Sequence, residues 1–138
     1  MTEYFNPWNE PYPEFGMNPG TATRDFVFAG GMAFDFSTMG RNPKADTVAA
    51  ETRVAFDELR AVLEAAGASV KDIVKMTCYL SDDAYRPEFW AAYKEYFDEH
   101  TGGSGKYPSR VTYTVGIAGG CRVELDAIAV RPKGASDA

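Results

Sequence analysis

Val123-Glu124-Leu125-Asp126-Ala127-Ile128-Ala129-Val130 is the stretch whose reading decides the fold. Side chains of an extended chain alternate between two faces, so Val123, Leu125, Ala127 and Ala129 share one side. Ile128 and Val130 bring apolar groups to the other side, and a strand apolar on both sides is expected to be covered on both. Glu124 and Asp126 stand on that second side, two carboxylates in a strand that otherwise reads as interior.

Working outward, Ile73-Val74-Lys75-Met76-Thr77-Cys78-Tyr79-Leu80 repeats the alternation, with Val74, Met76, Cys78 and Leu80 in phase. Arg110-Val111-Thr112-Tyr113-Thr114-Val115 is β-branched and follows Tyr107-Pro108-Ser109. Residues 25–34 read as strand, kink at Gly30-Gly31, strand. Two helices separate these runs. In the first, Val48, Ala55, Leu59, Val62, Leu63 and Ala66 recur at helical spacing, behind a candidate N-cap at Asp46 and ahead of Gly67. Glu51, Asp57, Glu58, Arg60 and Glu64 are assigned to its wet face. The second follows Ser81-Asp82-Asp83, takes Pro87 in its first turn, and turns Phe89, Trp90, Tyr93 and Phe97 inward. Residues 1–24 form an arm in which Pro recurs too often for a helix, and its aromatics suggest that it packs. Residues 132–138 are a short polar tail. The order defines one α+β domain over 1–138, two helices on one face of a mixed sheet of about five strands. The other sheet face must be wet or buried by another subunit.

Composition narrows the function. The formal net charge is −6, spread along the chain, which argues against nucleic acid as a partner because phosphates call for a basic stripe. No run approaches the ~20 apolar residues of a membrane span, so no membrane partner is expected. Nor does the N-terminus read as a secretory signal, and a cytoplasmic address is expected. A zinc site has little to draw on, with His100 the sole imidazole and Cys78 and Cys121 the sole thiols. Cys78 reads as a buried apolar residue, Cys121 as lying in a turn that can expose it, and His100 as a surface residue at a helix end.

Arg110 and Glu124 are the candidate chemical residues, each a charge in a strand of opposite character. Composition and periodicity alone read them as an ordinary ion pair or as edge charges, and Gly30-Gly31 as a bulge. Six segments, in order, change that weighting. They are Val27-Phe28-Ala29-Gly30-Gly31, Leu59-Arg60-Ala61-Val62-Leu63-Glu64-Ala65-Ala66-Gly67 and Asp72 through Leu80. Tyr93-Lys94-Glu95-Tyr96-Phe97-Asp98-Glu99-His100, then Tyr107-Pro108-Ser109-Arg110, then Val123 through Val130 complete the set.

Together these segments resemble the RidA/YjgF family of reactive-intermediate deaminases. The resemblance implies a chorismate-mutase-like homotrimer with sheets inside, helices outside and sites in clefts between subunits. The last strand would be central and the Arg110 strand an edge. Arg110 would pair with the carboxylate of a small-molecule substrate, which suits a planar guanidinium. Glu124 would position or activate the hydrolytic water. Gly30 and Gly31 would line the pocket, with Thr112 beside it and either Tyr12 or Phe15 entering from the arm. Ala29 stands where the family carries a Ser, and the loop before Tyr107 is longer. No cofactor and no metal is implied. The implied reaction hydrolyses a small 2-imino acid or enamine to the keto compound and ammonia. A deaminase of the 2-aminomuconate type and a non-catalytic ligand-binding member are the alternatives. Ribonuclease activity, claimed for relatives, fits the −6 charge least.

Overall fold

A computed structural model describes residues 1–135, and Ser136, Asp137 and Ala138 of the expected tail lie outside the described residues. Strands β1 (Glu3–Phe5), β2 (Gly20–Ala22), β3 (Phe26–Met32), β4 (Phe34–Asp35) and β5 (Gly40–Arg41) precede helix α1 (Val48–Ala65). Then come β6 (Ile73–Leu80), α2 (Arg86–Thr101), β7 (Ser109–Thr114) and β8 (Val123–Val130). The main sheet has the order β1-β2-β3-β8-β6-β7, with β6 and β7 parallel and its other neighbours antiparallel. β4 and β5 form a separate hairpin. The doubly apolar β8 is thus central, and β7 is an edge.

Both helices lie over one sheet face. Val27, Met76, Cys78, Leu80, Val123, Leu125, Ala127 and Ala129 point into that layer, against Ala55, Leu59, Val62 and Leu63 of α1. Close approach there depends on Gly31, where a Cβ would stand 2.3 Å from the Ala55 carbonyl oxygen and 2.9 Å from the Leu59 Cβ. Phe56 of α1 packs with the rings of Tyr96, Phe97 and Tyr93 of α2 at 4.6, 5.5 and 5.6 Å. Burying such side chains stabilises by ~1.5–3 kcal/mol each. The opposite face is uncovered and leaves Phe26, Phe28 and Val130 exposed.

Several expectations are corrected. β3 runs through Gly30-Gly31 without a kink, because each pairs in register with β8, Gly30 with Asp126 and Gly31 with Leu125. A bulge falls instead between Ile73 and Lys75, which buries Ile73 and leaves Val74 exposed. Thr47, not Asp46, caps α1, its hydroxyl accepting from the Ala50 N–H at 3.0 Å. Glu51 is fully buried, not on the wet face. Its carboxylate accepts from the Arg122 side chain at 2.7 Å and from the Val123 N–H at 3.0 Å, fastening α1 to the head of β8. Trp90 is exposed, and Tyr96 takes the inward place on α2. Cys121 is buried, its thiol donating to the Ala33 carbonyl at 3.7 Å. The arm supplies two strands of the sheet, and the hairpin adds two more outside it. His100 is half-buried between helices, 2.9 Å from Arg60 and 2.8 Å from the Tyr96 carbonyl.

Candidate functional site

A cavity of about 710 Å³ opens on the uncovered face of the sheet. Its floor is β3 and β8. Glu124 lies across from Met32 and Tyr79, and Asp126 across from Gly30 and Thr77. One wall comes from the arm, where Tyr12 and Phe15 sit in a short turn of 3-10 helix. The other is the β4–β5 hairpin, which contributes Phe34, Phe36 and Met39. The hairpin is set against the loop before β8 by Gly119, whose missing Cβ would fall 2.5 Å from the Phe34 ring.

The electrostatics follow from burial. Glu124 is half-buried, and its carboxyl holds its proton to higher pH than usual, chiefly because burial disfavours the anion and secondly because Asp126 is near. Burial raises Asp126 as well. The Tyr12 phenol is pushed up to about 12 by burial and by the charges of Glu58 and Glu10, so it remains a donor. No Lys, Arg or His is among the residues lining the cavity. The thiols are no rivals as nucleophiles, since burial raises Cys78 to about 12 and Cys121 to about 11.

The candidates divide into two groups. Tyr12, Phe15, Gly30, Gly31 and Glu124 converge on the cavity. Arg110 and Thr112 do not. Arg110 pairs in register with Met76 and Thr112 with Cys78, and both partners point toward the helices. Arg110 lies over the rings of Tyr93 and Trp90 of α2, at 4.9 and 5.4 Å from the centroids. Strand order puts β6 between β7 and β8, and strand parity puts Arg110 and Glu124 on opposite faces. Within one chain they do not meet.

Sequence reasoning missed the hairpin wall and the aromatic bed of Arg110. Phe34-Asp35-Phe36 was a visible aromatic cluster, but nothing local told that it folds back over β3. Trp90 was legible as apolar; its role beside an edge-strand arginine needed the packing of α2 on β7.

Fold and cavity together define an α+β protein that carries a carboxylate-floored, aromatic-walled pocket on an open sheet face. This chain belongs to the family described as Endoribonuclease L-PSP, the RidA/YjgF family, whose model matches residues 8–131. It is 34% identical over 110 residues to the 2-iminobutanoate/2-iminopropanoate deaminase of Escherichia coli (strain K12), covering 76% of this chain and 84% of that one. The solved YjgF gene product of E. coli is similar with a TM-score of 0.79 at 26% identity, covering 94% of this chain and 99% of that one. E. coli TdcF, solved with bound serine, is similar at 0.72 and 29% identity, covering 84% and 88%.

Proposed function

We propose that this chain is an imine deaminase, hydrolysing the C=N bond of a 2-imino acid or of its enamine tautomer. The observation that carries the reading is the floor of the cavity. The carboxyls of half-buried Glu124 and more exposed Asp126, both with raised proton affinity, stand there without a cationic side chain lining the cavity to neutralise them. Such a site attracts a cationic iminium carbon and repels a lone carboxylate. A substrate bearing both groups therefore needs a cation brought from elsewhere, and Arg110 at the exposed edge of a second copy supplies it, as in the homotrimer that the family resemblance implies.

In this reading Glu124 orients a water on the imine carbon and takes its proton. Glu124 returns that proton to the carbinolamine nitrogen and takes the hydroxyl proton as the C–N bond breaks. Ammonia and the 2-oxo acid leave, and that last proton then passes to ammonia as ammonium. Tyr12, protonated at working pH, is a donor for the oxygen or nitrogen of the intermediate. Trp90 and Tyr93 hold the Arg110 guanidinium by cation–π contact, and Thr112 lies along the same strand. Imines hydrolyse in water unaided, so orientation and modest proton transfer suffice. The E. coli relative named 2-iminobutanoate/2-iminopropanoate deaminase supports the reaction class. The ribonuclease in the family's description finds no counterpart here, because an acidic cavity on a chain of charge −6 repels phosphate.

The test is ammonia release from freshly generated 2-iminopropanoate. Glu124→Gln should lower kcat by about 10²–10⁴, the usual contribution of a general base. Arg110→Ala should act mainly on KM. Release no faster than the spontaneous rate from the folded wild type, with 2-iminopropanoate and with larger 2-imino acids alike, would reject the deaminase.

A further inference from the structure

As one chain presents it, the cavity is larger and more apolar than the smallest imino acids require. Its volume of about 710 Å³ lies in the range of ~300–1,000 Å³ that houses drug-sized ligands. Phe36 is the hub of its wall, edge-on to Tyr12 at 4.9 Å and to Phe34 at 5.1 Å, and stacked on Phe15 at 6.1 Å. Phe15 and Met39 remain exposed at the mouth. Such a concave aromatic surface calls for an apolar occupant.

Its position relative to the carboxylates says which part of a ligand that is. Met32 pairs with Glu124, and the chain runs on from Met32 to Phe34, a step of ~7 Å in extended backbone. The aromatic wall therefore begins on the strand that pairs with the candidate base, two residues beyond its partner. On the other side of Met32, Gly30 keeps the floor low across from Asp126, and a Cβ there would have only carbonyl oxygens at 3.7 and 3.9 Å for neighbours. A ligand with its reacting carbon over Glu124 and a bulky apolar group on the adjacent carbon spans both zones.

We propose that the Phe36-centred wall seats the substrate's side chain, so that the enzyme is selective for 2-imino acids bearing an aryl side chain over those bearing a methyl group. The proposal rests on the deaminase reading for its reaction and on the cavity alone for its selectivity. It adds no co-reactant: the iminium and water give the aryl 2-oxo acid and ammonium.

The experiment compares imines generated in situ by an amino-acid oxidase from phenylalanine and from alanine, with ammonia release followed for each. The kcat/KM for the phenylalanine-derived imine should exceed that for the alanine-derived one by about tenfold to a hundredfold, the discrimination an apolar pocket can deliver. Phe36→Ala should collapse that ratio, and Phe36→Leu should retain part of it, with circular dichroism showing both variants folded. Equal or reversed ratios in the wild type would overturn the selectivity while leaving the deaminase intact. If neither imine is hydrolysed, the deaminase reading fails, and calorimetric titration with phenylpyruvate and pyruvate decides the selectivity separately. Tighter binding of phenylpyruvate, lost in Phe36→Ala, would support it, and equal binding would overturn it.

Discussion

Glu124 is made harder to ionise by two causes of unequal size, burial first and the charge of Asp126 second. A general base must be ionised to act, so kcat/KM should fall as pH drops through its pKa. Because that pKa is raised, the acid limb should lie above the ordinary glutamate position. Asp126→Asn removes the smaller cause alone. The limb should move down in this variant yet stay above the ordinary position, while Glu124→Gln should abolish it together with most of kcat. A full pH profile of the three proteins checks this, and a limb unmoved in Asp126→Asn would mean that Asp126 does not act on Glu124. The same scale shows what the sequence could tell. Alternation alone placed Glu124 and Asp126 on one face, since a strand's period is fixed by its backbone. It could not tell that Glu124 is half-buried beside a cavity, because one wall of that cavity is an arm more than a hundred residues away in the chain.

At the level of elements, β8 carries the site, and α1 fixes β8 through Glu51. The Glu51 carboxylate accepts from the backbone of Val123 and from the Arg122 guanidinium, which also donates to the Ala45 carbonyl at 2.8 Å. Breaking a buried pair by removing one partner strands the other, which typically costs about 3–5 kcal/mol. Glu51→Ala should therefore lower the urea-unfolding free energy by roughly that amount. Glu51→Gln keeps the shape and some of the hydrogen bonds, and should cost less. A loss below about 1 kcal/mol in Glu51→Ala would show that β8 is held without this pair. Glu51 was misread in the sequence because helical periodicity sorts residues by hydrophobicity, and a carboxylate satisfied by buried donors breaks that sorting. The glycine pair was misread for a related reason. Gly31 answers the approach of α1 and Gly30 borders the cavity, and neither demand bends the strand. The helices, β6 and β8 were legible because one-sided burial writes its period into the sequence. The arm strands and the β4–β5 hairpin were not, being short and held by tertiary packing.

For the molecule as a whole, the separation of the candidate residues on opposite faces of the sheet is what calls for a test. A single chain presents carboxylates and aromatics on one face of the sheet and Arg110 with its aromatic bed on the other, at an edge strand whose outer side has no neighbour among the described residues. The uncovered face exposes Phe26, Phe28 and Val130, an apolar surface that a second copy would cover. If each site takes Arg110 from one copy and Glu124 from the next, two impaired variants should rescue each other when assayed at substrate far below the KM of Arg110→Ala. Arg110→Ala and Glu124→Gln chains, unfolded together in equal amounts and refolded, should recover about a quarter of the wild-type sites, because each site then has even odds of an intact residue from either side. The same variants refolded apart and then mixed should show no gain over their separate rates until subunits exchange. A site completed within one chain would give no rescue under either protocol, since no chain in the mixture holds both residues. Sedimentation of the refolded mixture fixes the number of copies, and the recovered fraction fixes how they share the site.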